Sequence, residues 1–112
     1  MDVTTRQEGD VVIFELKGQL DALAAPKARQ SFAAHGDPGD AHGVVNLQHV
    51  TFIDSSGLAA LISGLKAFRA HGRDFVLAGV QPTVLQVFSL TMLDRAFRIL
   101  PDTSAALAAV AS

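Results

Sequence analysis

The order of the predicted elements makes this chain a single α/β domain with a mixed, mostly parallel sheet. Three observations carry that reading. Short apolar, β-branched runs at residues 43–47 and 75–78 suit buried strands, because a parallel sheet is covered on both faces. Helical segments with capping signals follow each of them. At 112 residues, the chain has room for one core.

The elements follow in order. Residues 3–6 and 11–16 read as two strands around a turn at Glu8-Gly9-Asp10, a hairpin. Lys17-Gly18-Gln19-Leu20-Asp21 leads into a helix with Pro26 near its start, where a missing N–H is harmless. Leu23, Ala28 and Phe32 are expected to face inward, and residues 36–40 (Gly-Asp-Pro-Gly-Asp) break the chain. A strand over 43–47 continues extended through 50–53 to Asp54-Ser55-Ser56-Gly57. A long helix then runs to about His71-Gly72, and a strand follows at 75–78. Pro82 opens a helix carrying Val84, Leu85, Phe88 and Leu90, and residues 97–100 form a further short strand. Pro101-Asp102-Thr103-Ser104 caps a last, Ala-rich helix, too short to persist unless it docks. The order is ββαβαβαβα: four to five strands and about four helices, the first strand antiparallel at the edge.

Composition narrows the function classes. Net charge is −2, basic residues are scattered, and Trp and Tyr are absent, which disfavours direct nucleic-acid binding. With no Cys there is no disulfide, no thiolate catalysis and no Cys-ligated zinc. The N-terminal ten residues are too polar for a signal peptide, and no apolar run approaches the roughly 18 residues a membrane helix needs, so a cytoplasmic location without membrane partners is expected. Asp37, Asp40 and His42 read as turn chemistry rather than a metal loop.

In open α/β sheets, functional groups gather at the carboxyl ends of strands. Two junctions qualify, residues 18–21 and 54–57. Asp54, Ser55 and Ser56 stand immediately before an apolar-periodic run, and capping alone accounts for such residues. Leu58, Leu61, Ile62, Leu65 and Phe68 share one helix face. At about 100° per residue, Ser56 lies roughly 160° from Leu58, with Ala60, Ser63 and Ala67 on the same outward stripe. Such small residues are good helix formers, or they mark the close approach of another backbone; both readings stay open.

The run Val44-Val45-Asn46-Leu47 through Thr51-Phe52-Ile53-Asp54-Ser55-Ser56-Gly57-Leu58, preceded by Gly18-Gln19-Leu20-Asp21, resembles the STAS domain, in particular the bacterial anti-sigma factor antagonists. The similarity spans nearly the whole chain, and it implies one STAS domain over residues 1–112. It implies a partner-switching circuit. An antagonist of this kind binds an anti-sigma factor that is also a serine kinase and is released when the kinase phosphorylates the second Ser of the motif, here Ser56. A serine phosphatase restores binding. Ser55 then supports the loop, Asp21 lies near the acceptor, and the contact surface comprises Asp21, Asp54, Ser55, Gly57, Leu58, Ala60, Ser63 and Ala67. The nucleotide belongs to the kinase, so the chain itself carries no cofactor. Asn46 and Gln19 depart from the acidic residue and the Glu or Arg common among relatives. A second reading is a non-phosphorylated STAS subunit of a transporter or larger signalling assembly. A third, a Ser56 hydrolase, lacks the first Gly of Gly-x-Ser-x-Gly and an assigned base, since His35, His42, His49 and His71 fall in predicted loops or helix ends.

Overall fold

The computed structural model describes residues 1–111. Strands β1 (Asp2–Glu8) and β2 (Val11–Leu20) form the expected hairpin, turning at Gly9, whose φ of 59° suits a residue without a Cβ. Helix α1 (Ala25–Gly36), β3 (His42–Ile53), α2 (Ser55–Arg69), β4 (Phe75–Ala78), α3 (Pro82–Leu90), β5 (Ile99–Leu100) and α4 (Thr103–Ala111) complete the ββαβαβαβα order. The strands lie side by side in sequence order, with β1 antiparallel to β2 and every later pairing parallel.

Alternation along β2 and β3 divides the core between the two faces of the sheet. Val12, Phe14, Leu16, Val45 and Leu47 join α1, α2 and α3 on one face. There Phe14, Phe32, Phe68 and Phe75 pack ring against ring, with Phe14 edge-on to Phe32 at 5.0 Å. Val11, Ile13, Val44 and Val76 occupy the other face, closed by Ala106 and Val110 of α4. Docking of that short helix supplies the burial its own propensity cannot.

Helices α1 and α2 pack closely because their contact is lined by small residues. A Cβ on Gly64 would lie 2.6 Å from Phe75 Cζ and 2.9 Å from Phe32 Cδ2. A Cβ on Gly36 would lie 3.1 Å from the Cβ of Ala67.

Several boundaries differ from the sequence expectation. β2 runs on to Leu20 through two register shifts, at residues 15–17 and 18–19, the second using Gly18 at φ 116°. The last strand shrinks to Ile99–Leu100, because Phe97 turns into the core while β4 offers partners only to those two residues. A 3₁₀ turn at Leu93–Arg95 was not anticipated. Leu23 is 92% exposed instead of inward: it lies ahead of the first turn of α1, in a bend outside the helical period. On α3, Val84 and Phe88 are buried while Leu85 and Leu90 face outward.

Candidate functional site

The parallel strands β2 and β3 end together, with Leu20 paired to Ile53. Asp21 and Asp54 are the next residue of each chain segment, so the register itself brings two acidic residues to the ends of neighbouring strands. Each is tied down locally. Asp54 has extended backbone (φ −119°, ψ −171°) and caps α2, its Oδ1 accepting from the Gly57 N–H at 3.0 Å. Its carbonyl accepts the first helical bond from Leu58 N–H at 2.9 Å. Asp21 Oδ1 accepts from the N–H groups of Leu23 at 3.2 Å and Ala24 at 3.0 Å, which turns the chain into α1.

Gly57 locks this junction. A Cβ there would overlap the Leu20 carbonyl oxygen and lie 2.8 Å from Ile53 Cγ1. The first turn of α2 therefore rests directly on the end of β2. Ser55 and Ser56 occupy the first two helical positions, Ser55 exposed and Ser56 half-buried. Neither hydroxyl, nor the backbone N–H of either residue, has a hydrogen-bond partner among the described residues. These N–H groups lie at the positive end of a 15-residue helix, an environment that favours a negative charge.

Around this point the outward face of α2 is built from Ser55, Ser56, Ala59, Ile62, Ser63 and Lys66. Arg29 of α1 joins the last four around a shallow concavity of about 370 Å³. Near Asp21 the side chain of Leu23 stands almost free in water.

This face corrects part of the expected contact surface. Ala60 is fully buried, Leu58 is 6% exposed and Gly57 is buried, so none of the three lies on the outer surface. The physical reason is that α2 has two packing partners. Gly57 meets Leu20 and Ile53 at the strand ends, Gly64 meets Phe32 of α1 as well as Phe75 of β4, and Ala60 lies between these two glycines in the helix. Small residues do mark the close approach of another backbone, and that backbone is α1 of the same domain. Ala67, half-buried beside Gly36, belongs to this contact as well, and Ser63 remains on the outer face.

The two departures from the family pattern lie in different places. Asn46 is 8% exposed and mid-sheet, its Nδ2 donating to Glu15 Oε2 at 3.0 Å and its Oδ1 accepting from Gln48 N–H at 3.0 Å. An acidic residue there would set a second carboxylate against Glu15. Gln19 is exposed, paired with Phe52, two residues before Asp21.

Of the histidines, His35 lies within α1 against Phe14, His42 begins β3, His49 lies within β3 and His71 follows α2. None hydrogen-bonds Ser56. His42 turns to the far end of the sheet, its Nδ1 accepting from Asp74 N–H at 2.9 Å and its Nε2 lying 3.8 Å from Asp10. Among the described residues, no three His, Cys, Asp or Glu side chains gather as a metal site.

Leu23, Ala59, Ile62, Arg29 and Lys66 are surface features that the sequence reading did not select. A leucine between a turn-capping Asp and a helix-opening Pro is a usable signal for the first; the others depend on how α1 leans on α2.

A mixed sheet with its helices so placed, and an Asp-Ser-Ser-Gly junction capping the helix after the third strand, define a member of the STAS domain family. The family matches residues 2–106, and the chain belongs to it. Among relatives, the anti-sigma-B factor antagonist of Staphylococcus aureus is 24% identical over 93 residues, covering 83% of this chain and 86% of that protein. An anti-sigma factor antagonist from Mycobacterium paratuberculosis superposes with a TM-score of 0.87 at 25% identity, over 99% of this chain and 94% of that one. The fold is also that of the Bacillus cell fate determinant SpoIIAA in its phosphorylated form, with a TM-score of 0.77 at 21% identity over 97% and 99% of the two chains.

Proposed function

We propose that this chain is an anti-sigma factor antagonist that binds a serine-kinase anti-sigma factor and is released when Ser56 is phosphorylated. One observation carries the reading: the Ser56 hydroxyl has no partner among the described residues at the start of α2, the helix that Asp54 caps through Gly57 N–H. The names of the S. aureus and M. paratuberculosis relatives support the antagonist class.

In the unmodified state the partner packs over Ser55, Ser56, Ala59, Ile62 and Ser63, flanked by Asp21, Asp54 and Leu23. Gly57, Leu58, Ala60 and Ala67 act from beneath by fixing where that face stands. The kinase transfers the γ-phosphoryl group of its ATP to Ser56 Oγ, the hydroxyl proton leaving to a base on the kinase. The new group carries about −1.5 to −2 charges. The free domain tolerates it, since a helix N-terminus stabilises an anion by roughly 0.3–1 kcal/mol. A partner covering the same spot must desolvate a dianion next to Asp54 and Asp21. A penalty of ~3–5 kcal/mol for an uncompensated buried charge lowers affinity by about two to four decades. A serine phosphatase resets the switch, in the cytoplasm where the sigma factor works.

Incubation of the chain with the anti-sigma factor kinase of its own genome and ATP tests the modification. The expected mass increase is one phosphate, located on Ser56 by fragmentation and absent from Ser56→Ala. Phosphate on another residue, or none, refutes the assignment.

A further inference from the structure

A second concavity lies at the other end of α2, where Arg69 ends the helix, Arg73 follows in the next loop and Arg98 precedes β5. Thirteen residues at about 1.5 Å each put it roughly 20 Å along the helix from Ser56. Its volume is about 320 Å³, with Gly72, Asp74 and Phe75 also in the wall. Three of the chain's nine Lys and Arg residues converge there, in a protein of net charge −2. Among the described residues, no carboxylate comes within ion-pair distance of any of the three. Asp74, the one acid in the wall, has its carboxylate 4.0 Å from His42 Nδ1. The dipole of α2 favours a cation at Arg69, but it does not account for the other two, which come from separate segments. Arg73 is also held in place: its Nε donates to the Gly39 carbonyl at 3.0 Å, leaving its terminal nitrogens free.

We infer that this cleft binds a compact soluble anion carrying two or more phosphate groups. Guanidinium groups match phosphate oxygens with paired, charge-assisted hydrogen bonds. Three of them around one concavity supply more donors than a single phosphate can use, and a bound polyanion relieves their mutual repulsion. The anion neutralises a cluster in which three guanidinium groups face the single carboxylate of Asp74, with no ion pair between them. This site is independent of the Ser56 switch.

Inorganic pyrophosphate is the probe, titrated into the full ¹⁵N-labelled chain at constant ionic strength, with sulfate as the comparison. Saturable 1:1 binding is expected, with amide shifts centred on residues 69–75 and 98, and affinity for pyrophosphate above that for sulfate. Arg98→Gln and Arg69→Gln, both at exposed positions, are each expected to weaken binding about tenfold or more, as loss of a charge-assisted pair does. Arg73→Gln also removes the Gly39 contact, so its urea midpoint is measured alongside. Non-saturable shifts equal for pyrophosphate and sulfate overturn the inference, as do shifts centred on residues 55–58 or unchanged affinity in Arg98→Gln and Arg69→Gln.

Discussion

Replacing Gly57 by alanine adds one methyl group at the tightest contact of the candidate site. The new Cβ overlaps the Leu20 carbonyl oxygen and sits 2.8 Å from Ile53 Cγ1 and 2.9 Å from Leu20 Cγ. Two of these neighbours are buried side chains and the third is backbone, so none can swing away as a flexible surface chain would. The first turn of α2 must lift from β2. Overpacking of this kind costs about 1–3 kcal/mol. Lifting Gly57 N–H from Asp54 Oδ1 adds about 1 kcal/mol for the weakened cap. Together ~2–4 kcal/mol is a large fraction of the stability of a small domain. At roughly 4 °C per kcal/mol the Tm falls by about 8–16 °C. Urea denaturation with circular dichroism measures the loss, and Gly9→Ala, at an exposed turn with nothing within 4 Å of the added methyl, is the comparison. That variant bears only the left-handed backbone penalty, roughly 1–2 kcal/mol. If Gly57→Ala is as stable as the parent chain, the close seating of α2 on β2 is wrong, and with it the placement of Ser56.

Other variants separate the core from the outer face. Ala60→Arg forces a charged chain into a fully buried position, so it should unfold the domain or lower its urea midpoint severely; a well-folded Ala60→Arg would contradict the burial found here. Ala59→Arg, on the outer face, should leave stability within about 0.5 kcal/mol while reducing anti-sigma factor binding, as read by calorimetry; normal binding would move the interface elsewhere. Leu23→Ser should behave likewise, stable but weaker in binding by about tenfold, because a freely exposed leucine has little to lose in the unbound domain. Phe68→Ala removes a fully buried ring that touches Phe14 and Phe75, and should cost about 3–5 kcal/mol in a denaturation series.

The alternation of apolar runs and capped segments made the element order legible, because a buried parallel strand and an amphipathic helix leave different periods in the sequence. The Asp54 cap was legible for the same reason: its carboxylate answers a purely local need. What the sequence concealed was set by tertiary distance. Ala60 carries no mark of being inside or outside, since its burial depends on how closely α1 approaches, and that depends on Gly36 and Gly64 elsewhere. The helical wheel weighted the large residues and so assigned α2 one packing partner where it has two. Leu23 falls outside the helical period because α1 begins only at Ala25, after a turn that Asp21 closes. The convergence of Arg69, Arg73 and Arg98 was invisible because it joins a helix end to two loops distant in sequence.

Affinity measured by calorimetry against the cognate anti-sigma factor, for the chain with serine and with genetically installed phosphoserine at position 56, bears most directly on the proposed switch. Tight binding of the unmodified chain is expected, with a loss of at least about a hundredfold for phosphoserine, corresponding to ~2.7 kcal/mol or more. Equal affinities for the two forms, with both folded, would contradict it.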